Sequence, residues 1–279
     1  HPARIQNLNH RHVRPARPHP GQLTLGGAIT GAYGIEKIGA GIVVLGSSAN
    51  GYTGDTLVRA GTLRLGTANA IPDGAGKGDV HLIGALDLAG NSETINGLNG
   101  QGGITCSAAG APVLRVGNND ANGAYYGVIA NGSGTVGLTK IGSGVLTLAS
   151  TASTFTGPTR IEGGTLRATT DADALGGAGS LELAGGNLEL ANNAALTMTK
   201  RNTTVSADVD ITVDRLTSAG AGVTFTLGTL AIGDQQIDVK AGNLVTSGTA
   251  GLVFGATTLS GSPTFTVTDP LNGGGTKLT

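Results

Sequence analysis

The sequence predicts an all-β protein built as a parallel β-solenoid, and three observations favour this fold. Glycine supplies 50 of the 279 residues, whereas aromatic residues make up 3% and charged residues 13%. Short runs such as "TLRLG", "VLTLAS" and "VDITVD" alternate apolar with polar residues and then stop at a turn residue, as short strands do. A long segment returns after 103 residues, which is typical of a chain that stacks similar units.

The composition excludes several other classes of protein. A 39% hydrophobic content with a net charge of −1 excludes disorder over most of the chain. No apolar run is long enough for a transmembrane helix, and glycine interrupts every stretch with helical spacing. The few aromatic residues and the acidic body argue against nucleic-acid binding. Cys106 is the only cysteine, so no intrachain disulfide is predicted and a buried thiol is expected.

The first 20 residues form a segment of different composition. They contain four of the nine prolines, four arginines and no acidic residue, which leaves 13 basic and 18 acidic residues in the remainder. We predict a basic arm over 1–20 and a solenoid over 21–279, although an appended flexible tail is the alternative. The segment lacks the apolar core of a secretory signal. His10 and His12 have no cysteine or acidic partner there, so no metal site is predicted. The arm would contact an acidic neighbouring surface through Arg4, Arg11, Arg14 and Arg17.

Two copies of one motif organise the body of the chain. Residues 35–65 and 138–168 are identical at 14 of 31 positions without a gap, and a third partial copy is predicted at 273–279, "GGGTKLT". We expect coils of roughly 20–25 residues, 11–12 coils in all, and a rod on the order of 55 Å long. Tyr52 and Phe155 are equivalent and are expected to close a corner. The predicted inward positions of the first copy are Ile42, Val44, Leu57, Leu63 and Leu65.

The common pattern "LxKxGxGxLxLxxxxxxxxTGxTxxxxGTL" resembles the autotransporter-associated β-strand repeat of bacterial surface proteins and type V secretion passengers. The resemblance implies a right-handed β-helix, export and a role at the cell surface, and the repeat has no catalytic residues to carry over. The first copy matches at Lys37, Gly39, Gly41, Leu45, Thr53, Gly54, Thr56, Gly61, Thr62 and Leu63. The second copy matches at Lys140, Gly142, Gly144, Leu148, Thr156, Gly157, Thr159, Gly164, Thr165 and Leu166.

Two groups of residues are candidates for a surface patch. Asp208, Asp210 and Asp214 share strand parity; such acids serve polysaccharide-cleaving enzymes or hold calcium, and the alternative is a solvated strand face. Tyr125 and Tyr126 are the only adjacent aromatic residues, and they form either a sugar-stacking patch or a bulged corner. Nucleophile and phosphate-loop motifs are absent from the sequence. We therefore predict no catalytic residue, no metal and no cofactor.

These observations favour a non-catalytic, extracellular structural or adhesive solenoid at a bacterial surface, whose partner is either itself or a host or surface ligand. Head-to-tail stacking into a filament is expected to use a strand edge at Thr276, Lys277 and Leu278. The alternatives are a fragment of a monomeric autotransporter adhesin and a polysaccharide-acting β-helix enzyme. Because the shared motif positions are those that build a coil, a local function is expected where the copies differ, as at Asp55/Pro158 and Arg59/Glu162.

Overall fold

The computed structural model describes residues 21–150, 152–198, 202–269 and 273–279, and these contain strands, turns and no helix. The strands of the first half are β1 (Gln22–Leu25), β2 (Ile35–Lys37), β3 (Ile42–Leu45), β4 (Thr56–Val58), β5 (Thr62–Leu65), β6 (Val80–Leu82), β7 (Ala85–Asp87), β8 (Glu93–Ile95), β9 (Leu98–Gly100), β10 (Ile104–Thr105), β11 (Val113–Val116), β12 (Gly123–Tyr125), β13 (Gly137–Lys140), β14 (Val145–Leu148) and β15 (Thr159–Ile161). Those of the second half are β16 (Thr165–Thr169), β17 (Leu181–Leu183), β18 (Asn187–Ala191), β19 (Leu196–Met198), β20 (Thr203–Val205), β21 (Val209–Asp214), β22 (Gly220–Ala221), β23 (Thr224–Leu227), β24 (Leu230–Ile232), β25 (Gln236–Ala241), β26 (Val245–Ser247), β27 (Thr249–Val253), β28 (Thr257–Leu259), β29 (Thr264–Thr268) and β30 (Gly275–Leu278).

The strands stack into parallel sheets that run along a solenoid of about 11 turns. The long sheet has 11 strands in the order β2-β4-β6-β9-β12-β14-β16-β18-β21-β25-β29, and each coil contributes one of them. The eight-stranded sheet is β8-β11-β13-β15-β17-β20-β24-β28, and the five-stranded sheet is β1-β3-β5-β7-β10. A four-stranded sheet, β19-β23-β27-β30, and the pair β22-β26 complete the later coils. The prediction of a parallel β-solenoid with about 11 coils is confirmed.

Each coil buries its alternate side chains in one continuous core because every strand presents its inward residues to the strands above and below. Across the middle of the long sheet, Tyr125, Leu148, Ala168 and Leu190 are in register and buried. Cys106 is free and also fully buried, as predicted. Tyr52 and Phe155, the equivalent aromatic residues of the two copies, are 2% and 0% exposed.

The two motif copies occupy different faces of the solenoid. In the first copy, β2 and β4 lie in the long sheet and β3 and β5 in the five-stranded sheet. In the second copy, the equivalent β13 and β15 lie in the eight-stranded sheet, and β14 and β16 lie in the long sheet. In the part of the chain between the copies, a coil visits the long, five-stranded and eight-stranded sheets in turn, so the two copies are separated by four coils and two further faces. The motif is therefore a corner unit that is independent of any one face.

Two of the inward positions predicted for the first copy, Ile42 and Leu57, were wrong, and a third, Val44, is buried but has outward strand parity. The register pairs Val43 with Leu63 and Leu45 with Leu65, and all four belong to the core or pack against it. Ile42 and Val44 therefore take the opposite parity, although Val44 is only 8% exposed, and Leu57 faces outward between the buried Thr56 and Val58. The run "IVVL" is apolar at every position, so it carries no alternation from which its parity could be predicted.

Two further findings concern the rest of the chain. The described residues contain no helix that is long and apolar enough to cross a membrane. The predicted basic arm, with Arg4, Arg11, Arg14 and Arg17, lies outside the described residues, as do His10 and His12.

Candidate functional site

A buried lysine joins two stacked turns in the first motif copy. Lys37 is 5% exposed, and its Nζ donates to the carbonyl oxygens of Ile38 at 2.9 Å, Gly39 at 2.6 Å and Ala60 at 2.8 Å. Ile38 and Gly39 belong to its own turn, whereas Ala60 belongs to the turn one coil further along the chain. The three ammonium protons thus match three backbone acceptors that lie in two successive coils.

The second copy repeats this arrangement with different neighbours. Lys140 is fully buried, and its Nζ donates to Ile141 O at 2.6 Å, Gly142 O at 3.0 Å and Gly163 O at 3.3 Å. Burial lowers the pKa of Lys140 to about 8, and the nearby Asp120 carboxylate opposes this shift. The sequence identified both lysines as motif positions but did not predict their burial. In the structure, each lysine lies in an inward column that apolar residues occupy in the adjacent coils.

The glycines of the motif leave room for the three carbonyl groups that surround each lysine ammonium group. Gly164 has φ +59, and a Cβ there would lie 2.3 Å from Gly144 O and 2.5 Å from Gly142 O. Gly61 in the first copy has φ +66 and equally close carbonyl neighbours. Most of the positions shared by the two copies therefore build the turn and its stacking, although Ile38 and Thr53 of the first copy are exposed.

Some of the exposed positions at which the copies differ lie on two outer grooves, whereas other differing pairs, such as Tyr52/Phe155 and Val58/Ile161, are buried in the core. The first groove, of about 390 Å³, runs over β4 and β6 and is lined by Asp55, Leu57, Arg59, His81 and Ile83. Arg59 forms an ion pair with Glu36, and His81 Nε2 lies 3.5 Å from Asp55 Oδ2. The counterparts of Asp55, Leu57 and Arg59 in the second copy lie on the outer face of β15, in the eight-stranded sheet. The two grooves therefore open on different faces of the solenoid.

The second groove is larger, about 490 Å³, and follows the outer face of the eight-stranded sheet. One outward column across β8, β11, β13, β15 and β17 is polar, and a neighbouring column contains Val113, Gly137 and Pro158. The groove thus has a polar strip beside an apolar strip. The polar strip consists of Thr94, Arg115, Thr139, Arg160 and Glu182.

Ion pairs fix the arginines of this groove. Arg115 contacts Glu162 through both terminal guanidinium nitrogens, Nη1 and Nη2, with Nη2 2.6 Å from Oε2, although the two residues are two coils apart. Arg160 Nε lies 2.8 Å from the other oxygen of Glu162, and Arg160 also forms an ion pair with Glu182. Hydrogen bonds from Arg115 and Arg160 hold the pKa of Glu162 below its usual value. The four side chains are 30–40% exposed, so their polar groups remain accessible along the groove.

A buried carboxyl fastens the wall of the second groove. Glu93 accepts hydrogen bonds from the backbone N–H groups of Ala70 at 2.9 Å and Ile71 at 3.1 Å, in the segment that follows β5. Asn96, fully buried two positions beyond β8's Thr94, bonds the same segment at Gly74. Burial raises the pKa of Glu93 to about 8. The segment therefore forms a fixed wall beside the polar strip.

The three aspartates considered as a site do not converge on one point. Asp208 accepts from Gln236 N at 2.8 Å, and Asp210 lies 2.5 Å from Lys240 Nζ. Asp214 is only 7% exposed and accepts from the backbone N–H groups of Arg215 and Leu244. Each carboxylate thus satisfies a local partner. The described part of the chain contains no group of three or more His, Cys, Asp or Glu residues that could hold a metal ion.

The two adjacent tyrosines have different environments. Tyr125 is 1% exposed, and its hydroxyl donates to Gly102 O at 2.5 Å. It fits inside because its long-sheet neighbour is Gly100, which has no side chain, and because a Cβ at Gly127 would lie 2.6 Å from the Tyr125 ring. Tyr126 is 59% exposed. Only Tyr126 is therefore available to a surface ligand.

The predicted stacking edge belongs to β30, which pairs with β27. Thr276 Oγ1 bonds Ala241 N and Thr268 O, Leu278 packs against the core, and Lys277 is exposed. An apolar hollow of about 220 Å³ lies beside β30 and is lined by Leu230, Phe254, Thr257, Phe265, Leu278 and Thr279.

Comparison with known proteins agrees with this construction. The family model described as "Passenger-associated-transport-repeat" matches residues 35–65 and 138–168. These are the two motif copies whose turns are joined by the buried Lys37 and Lys140. The chain is also similar to "Adhesin BmaC autotransporter" from Brucella suis biovar 1 (strain 1330), with 36% identity over 149 residues, which is 52% of this chain. That alignment covers 4% of the relative, so the chain spans a small part of the length of the protein it matches. No solved structure matches the chain.

The family match covers both motif copies, and the relative's similarity extends beyond them. The chain therefore contains two passenger-associated-transport repeats within a parallel β-solenoid, and about half of it is similar to an autotransporter adhesin.

Proposed function

We propose that this solenoid is a non-catalytic adhesive segment, exposed at a bacterial cell surface, which binds a host or surface ligand along an outer groove. The observation that carries this proposal is the location of the sequence differences between the two repeats. Shared residues form the corners, whereas Asp55, Arg59 and their counterparts Pro158 and Glu162 lie at or contact the grooves. The relative is named an adhesin autotransporter, which supports the same function for this chain.

A non-catalytic role is supported by the placement of the ionisable groups. The accessible acids of the second groove, Glu162 and Glu182, are paired with arginines, and Asp208, Asp210 and Asp214 bond separate partners. Hydrolysis of a glycosidic bond needs two carboxyl groups on either side of one bond, with one of them protonated. Among the described residues of these grooves, the one carboxyl group with a raised pKa is Glu93, and its side chain is buried at 1% exposure rather than open to a ligand.

Surface display tests the proposal directly. The chain would be displayed on a non-adherent bacterium, and adherent cells would be counted on epithelial monolayers and on surfaces coated with extracellular-matrix material. We expect adherence above that of the same bacterium displaying an unrelated solenoid. Equal adherence of the two strains on every surface would contradict the proposed function.

A second candidate function is head-to-tail stacking into a filament, with a second copy as the partner. Apolar side chains at opposite ends of the described coils favour it, since Leu23 of β1 is 56% exposed and Leu259 and Phe265 are 56% and 42% exposed. Parallel strand edges with apolar side chains can pair with equivalent edges. The test is light scattering at high protein concentration with residues 1–20 intact, where a monodisperse monomer rules out this candidate.

A further inference from the structure

The second groove has the features of a binding site for one class of polymer. We propose that it binds an uncharged polysaccharide chain lying along the solenoid axis, and this proposal rests on the proposed adhesive function. Four observations on the groove carry it: its shape, its internal charge balance, its adjacent polar and apolar strips, and the pairing of its strands.

The shape of the groove favours an extended ligand. It crosses five consecutive strands of the eight-stranded sheet, β8 to β17, which is a length of roughly 19 Å at the usual spacing between strands. The segment held by Glu93 forms one side, and the volume of about 490 Å³ is spread along the face rather than enclosed. A chain of several sugar rings fits this form better than a compact small molecule.

The charges of the groove favour a neutral ligand. Two arginines and two glutamates, Arg115, Glu162, Arg160 and Glu182, neutralise one another through close ion pairs. An anionic polymer would have to break these pairs and would face both carboxylates, because a basic patch is what such polymers require. Sugar hydroxyl groups both donate and accept, so they can bond the remaining guanidinium protons and carboxylate oxygens without displacing any pair.

The two adjacent strips suit the two surfaces of a sugar ring. Val113, Gly137 and Pro158 form the apolar strip, and a Cβ on Gly137 would lie 3.3 Å from Val113 Cγ2 and 3.5 Å from Pro158 Cδ. Because Gly137 has no side chain, Val113 and Pro158 lie close together over it and form a flat apolar surface. The C–H face of a sugar ring can lie on this apolar surface while its hydroxyl groups reach Arg115 and Arg160.

Strand pairing argues against a peptide as the occupant. An extended peptide binds a sheet most readily by adding a strand to a free edge. At this groove β11, β13 and β15 each pair with a strand on both sides, so their backbone groups are already used. Recognition must therefore come from side chains on the face of the sheet.

The experiment uses the purified chain on an array of neutral oligosaccharides built from glucose, galactose, mannose and N-acetylhexosamines, beside sulfated and uronate-containing chains. The strongest neutral oligosaccharide is then titrated by calorimetry. We expect a neutral oligosaccharide to bind with an affinity that changes little between about 50 and 500 mM salt, because salt screens interactions between charges and this ligand carries none. Binding restricted to the anionic chains, or to none of the array, overturns the proposal.

Matched variants locate the binding. Arg115→Ala and Arg160→Ala are each expected to weaken the affinity for that oligosaccharide by about tenfold or more, because each removes charged donors. Arg160→Lys is expected to weaken it as well, since lysine keeps the charge but loses the planar fork. The control is Arg167→Ala, at an arginine of the long sheet that pairs with Glu189 at 2.9 Å. Equal losses in the control and the groove variants, or no loss in the groove variants, overturn the proposal.

The displayed chain separates this inference from the function on which it rests. Adherence that persists in Arg115→Ala and Arg160→Ala, with circular dichroism unchanged, retains the adhesive function and overturns the groove assignment. Loss of adherence in both variants, with competition by the free neutral oligosaccharide, supports the assignment. Absence of adherence in the unmodified chain contradicts the adhesive function itself.

Discussion

Lys140 is a cation held inside the coil by backbone carbonyl groups. Its ammonium group donates to the turn of its own coil and to Gly163 of the next. A buried acceptor that loses its donor costs about 1–3 kcal/mol, so this side chain is expected to couple the two coils.

Replacing this lysine tests the coupling. Lys140→Ala is expected to lower the free energy of unfolding by about 3 kcal/mol, because it removes a donor shared by three carbonyls and leaves a cavity. The control is Lys240→Ala, whose 39% exposed side chain pairs with Asp210 and is expected to cost about 1 kcal/mol or less. Chemical denaturation measures both variants. Equally small losses in Lys140→Ala and Lys240→Ala would show that the hydrogen bonds of the buried Lys140 add nothing to stability.

Glu93 gives a prediction about pH. Burial raises its folded-state pKa to about 8 from an ordinary 4.5, and the nearby Asp73 adds to the shift. Between these two pH values the folded protein holds a proton that the unfolded chain has released, so the contribution of Glu93 to stability falls as the pH rises from about 4.5 to 8. In Glu93→Gln this part of the pH dependence disappears. Unfolding free energies at pH 5 and pH 8 measure it, and an unchanged difference in the variant would contradict the prediction.

At the scale of elements, the repeat is a pair of corners stacked one on the other. The glycine spacing and the lysine position allowed this unit to be predicted from the sequence, because tight turns with positive φ favour glycine. The face on which each copy lies could not be predicted. It depends on coil lengths between the copies, which vary from 18 residues between the starts of β6 and β9 to 25 between those of β9 and β12.

Adjacent glycines in the second copy test the corner geometry. Gly164→Ala is expected to destabilise the chain by about 3 kcal/mol, because residue 164 has φ +59 and its new Cβ would lie 2.3 Å from Gly144 O. Gly163→Ala is the control, with its nearest atom, Gly142 O, at 3.2 Å. Thermal unfolding of the two variants gives the comparison. Similar losses at both positions would contradict the proposed role of the φ-positive turn.

The candidate grooves show what the sequence could and could not indicate about the site. The prediction that function lies where the copies differ directs attention to Pro158 and Glu162, which the structure finds at or beside the second groove. The pairing of Arg115 with Glu162 was not predictable, because the residues are 47 positions apart and meet only through the stacking of two coils. Tyr125 was a reasonable surface candidate from sequence, and its burial depends on glycines in two other segments.

For the whole molecule, the central claim is that shared repeat positions build the solenoid and differing positions recognise the ligand. A repeat exchange tests this claim most directly. The triple change Pro158→Asp, Arg160→Leu and Glu162→Arg gives β15 the outer residues that the first copy carries around β4. Because the same corner unit already accommodates these residues, we expect an unchanged circular dichroism spectrum and only a small loss of stability, since each half-exposed ion pair that is removed is worth about 1 kcal/mol or less.

Adherence of bacteria displaying this triple variant is the decisive measurement. We expect it to fall to the level of the unrelated solenoid, while the reciprocal exchange in the first copy, Asp55→Pro, Leu57→Arg and Arg59→Glu, leaves adherence intact. A folded triple variant that adheres as well as the unmodified chain would contradict the account.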